Sequence, residues 1–119
     1  MRQPNFYSRY RRAGGLIFVS GQLAFDEDGH LIEGEIESQT KRCLERIADV
    51  LSEENLTMDS VVKCGCWIVD PLHFDRFNAA YLEFFRDRAL PARSTVVSRL
   101  CLPGALVEID AVIEAPVTS

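Results

Sequence analysis

Ser60-Val61-Val62-Lys63-Cys64-Gly65-Cys66-Trp67-Ile68-Val69 runs directly into Asp70-Pro71, and then into Phe74, Phe77, Tyr81, Phe84 and Phe85 at helical spacing. The first ten residues are β-branched and aromatic enough to form a strand buried on at least one face. Asp70 can cap exposed amides and Pro71 suits a first helical turn, so a helix follows. Its aromatic stripe reads as a core face. Working outward, Pro91 ends this helical region and residues 93–100 read as another strand. Leu102-Pro103-Gly104 turns the chain into a last strand over 105–114, where Val107, Ile109, Ala111 and Ile113 share one face and Glu108, Asp110 and Glu114 the other.

Toward the amino end, Thr40, Cys43, Leu44, Ile47, Ala48 and Leu51 form one stripe of a helix predicted over about Ser38 to Glu54, with Asn55 as its stop. Residues 15–25 read as a strand, and Gly21 inside it signals a bulge or a close approach by ligand or backbone. Asp26-Glu27-Asp28-Gly29 is a turn signal, so that strand is expected to fold back on a second one after it. The predicted order is strand, strand, helix, strand, helix, strand, strand. It describes one α+β domain spanning residues 1–119, with two helices on one face of a mixed sheet. Val96, Val97 and Val112 leave apolar side chains for the other sheet face, so self-association is expected.

Length and composition are consistent with this reading. The chain has 119 residues, 47% hydrophobic and 26% charged, enough for a core without staples. No apolar stretch approaches the ~20 residues of a membrane span, and the first five residues carry no apolar signal core, so a cytoplasmic protein is expected. Thirteen Lys and Arg against eighteen Asp and Glu give a net charge of −5, which argues against general affinity for nucleic acid. Arg2, Arg9, Arg11 and Arg12 crowd the amino end, either as a solvated edge or as a device for anion steering. The spacing of Cys64-Gly65-Cys66 is not that of a zinc site, and His30 and His73 stand alone. The four cysteines, with Cys43 and Cys101, are therefore expected to be buried free thiols, with no metal.

No phosphate loop, nucleophile elbow or paired-histidine motif is present. The residue that stands out is Arg93, after Pro91-Ala92 and before an apolar strand. Its planar fork suits a substrate carboxylate, though an arginine in such a place is more often one half of a structural ion pair. Glu108 could be that partner, or a general acid/base in the same pocket.

Arg12-Ala13-Gly14-Gly15-Leu16-Ile17-Phe18-Val19-Ser20-Gly21-Gln22 resembles the opening of the RidA (YjgF) family, the reactive intermediate deaminases. Gly34 to Thr40, Phe77 to Phe85, Pro91-Ala92-Arg93-Ser94-Thr95-Val96 and Val107-Glu108-Ile109 are similar to its later motifs, in the same order along nearly the whole chain. The resemblance implies a chorismate-mutase-like α+β fold and a homotrimer with a central barrel and three clefts between subunits. It implies a cofactor-independent hydrolysis of 2-enamino and 2-imino acids, such as 2-aminoacrylate, to 2-keto acids and ammonia. By position, Arg93 matches the arginine that grips the substrate carboxylate and Glu108 the carboxylate that positions or activates water. Tyr7 and Ser20 match residues lining the cleft, Gly21 lets the backbone come close beside Ser20, and the backbone amide and carbonyl of Thr95 could contact the ligand. Thr95 stands where some members have cysteine, Phe6 where proline often precedes the tyrosine, and residues 99–103 depart from the usual spacing.

On this reading, the protein binds the carboxylate, orients water and assists proton transfer. Desolvation would raise the pKa of Glu108 and a nearby Arg93 would oppose that shift. Other readings use the same residues: a non-catalytic trimer binding small carboxylic acids or a protein partner, a deaminase of 2-aminomuconate or of pyrimidine-derived aminoacrylate, or a ribonuclease. The acidic balance and the lack of an aromatic–basic stripe disfavour the last.

Overall fold

The computed structural model describes residues 6–117. Five strands form one sheet: β1 (Tyr10–Ala13), β2 (Leu16–Gln22), β3 (Val61–Ile68), β4 (Ala92–Val97) and β5 (Val107–Glu114). Their spatial order is β1-β2-β5-β3-β4, antiparallel throughout except for the parallel pair β3/β4. A parallel pair needs a long crossover, and α2 (Phe74–Phe84) provides it. The other helix, α1 (Ile36–Glu53), lies between β2 and β3 in sequence. Two helices on a mixed five-stranded sheet make this an α+β fold, as the sequence predicts.

The core lies between the helices and one sheet face. Ile47 and Leu44 of α1 and Phe77 of α2 are fully buried there, against Ile17, Ile109 and Ile113 of the sheet. The alternation of β5 holds: Val107, Ile109, Ala111 and Ile113 face the helices. The stripe of α1 matches its reading, and Asn55 ends the helix in the left-handed region at φ 59°. The carboxylate of Asp70 accepts the Leu72 N–H at 2.9 Å, capping a short 3-10 turn, Pro71–His73, that leads into α2. Phe77 and Tyr81 of α2 and Phe85 just after it are buried, whereas Phe74 at the helix start is exposed.

Three expectations are corrected. The hairpin is β1–β2, closed by Gly14-Gly15 with Gly14 at φ 60°, and not a fold-back at residues 26–29. Asp26 does organise a turn, accepting the Asp28 and His30 amides at 2.9 Å, but it closes only the single bridge Phe25–Leu31 before α1 begins. Cys43, Cys64 and Cys66 are buried free thiols, but Cys101 is exposed in the loop before β5. Val97 alternates with Val96, so it lies on the helix side of β4, although at the sheet edge it is still exposed.

The amino-terminal arginines form a solvated edge. Arg9 pairs with Glu53, and Arg12 pairs with Glu54 at 2.7 Å while also donating to the Ala115 carbonyl at 3.0 Å. These cations offset two acids at the carboxyl end of α1, where the helix has no basic residue of its own. Arg2 lies outside the described residues.

The sheet face away from the helices carries Phe18 beside Val112 and Trp67 beside Val96, two apolar pairs with the row of Asp110, Gly65 and Ser94 between them. Phe18 is 46% exposed and Val96 48%. This is the apolar face that the alternation of the strands predicts.

Candidate active site

Glu108 projects from β5 onto the apolar outer face, opposite Trp67 of β3. Across β2 it meets Gly21. A Cβ built on Gly21 would lie 2.0 Å from Glu108 Oε2, so the carboxylate occupies the space a side chain would need. The register of β2 on β5 slips between Val19 and Gln22, a bulge that contains Ser20 and Gly21. Of the alternatives read from Gly21, the bulge is realised, and what comes close is a side chain, the Glu108 carboxylate, where backbone or ligand was expected. Burial pushes the Glu108 carboxyl above the usual carboxylate range, and Asp110, two residues on along the same face, adds to the rise. Asp110 itself accepts the Gly65 N–H at 2.8 Å.

Ser20 ties the amino-terminal segment to this spot. Its hydroxyl donates to the Ser8 carbonyl at 2.6 Å and its amide to the Arg9 carbonyl at 3.0 Å. Tyr7 is thereby carried to the Ser20 end of β2, with its own side chain 72% exposed.

Arg93 and Thr95 belong to the other face. In the parallel ladder Arg93 pairs with Cys64 and Thr95 with Cys66, both of which point into the core beneath the helices. The Arg93 guanidinium lies 4.7 Å from the Tyr81 ring centroid and 5.1 Å from that of Phe77. Its Nη2 donates to Asn78 Oδ1 at 2.7 Å. It has no carboxylate partner among the described residues, unlike Arg9, Arg12, Arg42, Arg76, Arg86 and Arg88. An open groove of about 320 Å³ adjoins it, lined also by Asn78, Tyr81, Leu82, Leu90 and Pro91. The Thr95 hydroxyl is buried without a hydrogen-bond partner. Burial pushes the neighbouring thiols up, Cys64 to about 11 and Cys66 to about 12, so neither is a nucleophile at neutral pH.

The structure therefore brings Ser20, Gly21 and Glu108 together, and Arg93 and Thr95 together, but sets the two groups on opposite faces of one sheet. An Arg93–Glu108 ion pair within a single chain, and a single pocket shared by them there, are both excluded by this geometry. Asn78 has no assigned part in the reading of the sequence. Its signal is its place on α2, a polar residue three before Tyr81 at the margin of the aromatic face.

A two-helix mixed sheet with this order of elements defines the chorismate-mutase-like α+β class. The family model described as Endoribonuclease L-PSP matches residues 2–115. A RutC family protein of Pyrococcus abyssi is 38% identical over 108 residues, covering 89% of this chain and 84% of that protein. The Rid-family protein YyfA of Yersinia pestis has a solved structure that aligns with a TM-score of 0.89 at 33% identity, over 95% of this chain and 90% of the other. The YjgF gene product of E. coli aligns with a TM-score of 0.84 at 26% identity, over 91% and 87%. The chain belongs to the RidA (YjgF) family.

Proposed function

We propose that this chain is a cofactor-independent deaminase that hydrolyses reactive 2-enamino and 2-imino acids, such as 2-aminoacrylate, to 2-keto acids and ammonia. The observation that carries this reading is Arg93, a guanidinium held against aromatic rings beside an open groove, with no carboxylate of the described residues on it. A planar cation kept free of internal carboxylates suits a small carboxylate ligand, which it can grip through two parallel hydrogen bonds.

The chemistry needs little more. The enamine tautomerises to an imine whose carbon is electrophilic. Water adds there to give a carbinolamine, whose collapse breaks the C–N bond and releases ammonia and the keto acid. Glu108, its carboxyl raised by burial, orients the water and relays two protons to the nitrogen, the water proton as the C–O bond forms and the carbinolamine hydroxyl proton as the C–N bond breaks. Ser20 and Gly21 lie beside Glu108 and Thr95 beside Arg93, and Tyr7 is proposed to close the cleft from the amino-terminal segment. Because the two groups face opposite ways in one subunit, the working cleft is proposed to form between subunits of a homotrimer, whose barrel would bury Phe18, Trp67 and Val96.

The test couples the purified protein to a dehydratase that releases 2-aminoacrylate and follows the decay of that intermediate. Faster decay is expected with the wild type. Arg93→Lys keeps the charge but loses the fork, and a charge-assisted pair of about 1.5–3 kcal/mol corresponds to an activity loss of about ten- to a hundredfold. Its melting temperature should stay close to that of the wild type. Decay that is no faster with the protein than without it would refute the deaminase reading. The name of the family model favours a second reading, endoribonuclease. A net charge of −5 opposes it, and RNA cleavage by the same preparation, lost in Arg93→Ala, would instead establish it.

A further inference from the structure

Asn78 sits on α2 with its side-chain oxygen 2.7 Å from Nη2 of Arg93. Arginine has only donors, so the amide must present its oxygen to the guanidinium. The guanidinium also lies against rings, its carbon 4.7 Å from the centroid of Tyr81, 5.1 Å from that of Phe77 and 6.0 Å from that of Phe74. Three rings and one hydrogen bond fix the plane of a side chain that otherwise carries much rotamer freedom. The nature of that hydrogen-bond partner matters. The arginines at 9, 12, 42, 76, 86 and 88 each have a carboxylate within ion-pair distance, whereas Arg11, Arg46 and Arg99, like Arg93, have none among the described residues. At Arg93 the holder is neutral. An amide oxygen occupies one N–H and leaves both the charge and the remaining donors available.

We infer that Asn78 is a positioning residue for anion recognition, one that orients the Arg93 fork toward the groove without neutralising it. The inference rests on the proposed role of Arg93 as the carboxylate clamp. It assigns to residue 78 a requirement that aspartate, its nearest relative in shape, cannot meet. Aspartate at 78 would hold the guanidinium at least as firmly and would compete with the substrate for it. An alanine there would leave the charge free but the plane of the fork unfixed.

The experiment titrates 2-oxobutanoate, a keto acid of the product type, into the full-length wild type, Asn78→Asp, Asn78→Ala and Arg93→Ala. The same proteins are assayed with dehydratase-generated 2-aminoacrylate. Arg93→Ala should lose binding. Asn78→Asp should weaken binding by about tenfold or more, since a carboxylate 2.7 Å away takes the place of the ligand. It should raise KM with kcat little changed, because the clamp holds ground state and transition state alike. Its melting temperature should equal or exceed that of the wild type, which a merely structural asparagine would not explain. Asn78→Ala should weaken binding less than Asn78→Asp, and it carries the test alone if the aspartate variant does not fold. Loss of the ligand in Arg93→Ala with wild-type affinity and KM in both Asn78 variants overturns the positioning role alone. Wild-type affinity in Arg93→Ala overturns the clamp itself, and the role of Asn78 with it.

Discussion

At residue scale, the contact between Glu108 and Gly21 has a consequence for pH. The Glu108 carboxyl is raised by burial first and by Asp110 second. A carboxyl whose folded pKa lies above its unfolded one binds its proton more tightly in the native state. Its contribution is fully present below the ordinary carboxylate range and is lost as pH rises through the raised value. Glu108→Gln removes this titration while keeping the shape of the protonated acid. The melting temperatures of variant and wild type should therefore nearly coincide near pH 4 and diverge, in favour of the variant, as pH rises toward neutrality. A gap that opens toward low pH instead would mean that a cation lies against Glu108 in the assembled protein. The candidate site is partly legible in the sequence. Arg93 stands out by its place after Pro91-Ala92, Gly21 by interrupting an apolar run, and Glu108 by its motif. The face each side chain takes is not legible there, because it depends on register. The pairing of Arg93 with Cys64 and of Glu108 with Trp67 separates the two groups, and no local pattern encodes a pairing across such distances in sequence. Asn78 escapes a reading of the sequence for the same reason: its role exists only once β4 lies beside α2.

At element scale, Gln39 joins three segments from inside α1. It is 1% exposed. Its Oε1 accepts the Leu106 N–H at 2.8 Å, and its Nε2 donates to the Gly104 and Ile32 carbonyls at 3.1 and 3.3 Å. It thus anchors both the loop entering α1 and the loop entering β5 to the helix. Gln39→Leu fills similar space but leaves a buried amide and two carbonyls without partners, which should cost about 1–3 kcal/mol. Chemical denaturation would show this as a lower midpoint at unchanged slope, and an unchanged midpoint would mean that water replaces the lost bonds. Elements with a clear period are legible in the sequence: the helix predicted over Ser38 to Glu54 spans Ile36–Glu53, and the strand predicted over 60–69 spans Val61–Ile68. The hairpin is not, because Asp26-Glu27-Asp28-Gly29 is the stronger turn signal by composition. Gly14-Gly15 works through backbone conformation instead, with Gly14 at φ 60° admitting a two-residue turn whose twist suits paired strands. The polar run Tyr10-Arg11-Arg12 gives β1 no apolar alternation to read, because its outer edge is solvated and its side chains serve the end of α1.

At the scale of the whole molecule, two candidate half-sites lie on opposite faces of one sheet, so the proposed deaminase activity requires an assembly. Glu108 lies on the outer face with Phe18, Trp67 and Val112, and Arg93 lies at the edge strand β4 beneath α2. If neighbouring subunits pack these outer faces together, the Arg93 edge of one can come beside the Glu108 face of the next. The arrangement predicts complementation. Arg93→Ala and Glu108→Gln should each be inactive alone. Unfolding them together and refolding at equal ratio should restore clefts in which the Glu108→Gln subunit supplies the arginine and the Arg93→Ala subunit supplies the carboxylate. Random assembly makes about one quarter of the clefts intact, so about a quarter of wild-type activity should return. Sedimentation on the same sample would check that mixed trimers form. Mixed trimers with no activity would mean that Arg93 and Glu108 do not meet in one cleft, and the cleft between subunits would have to be abandoned.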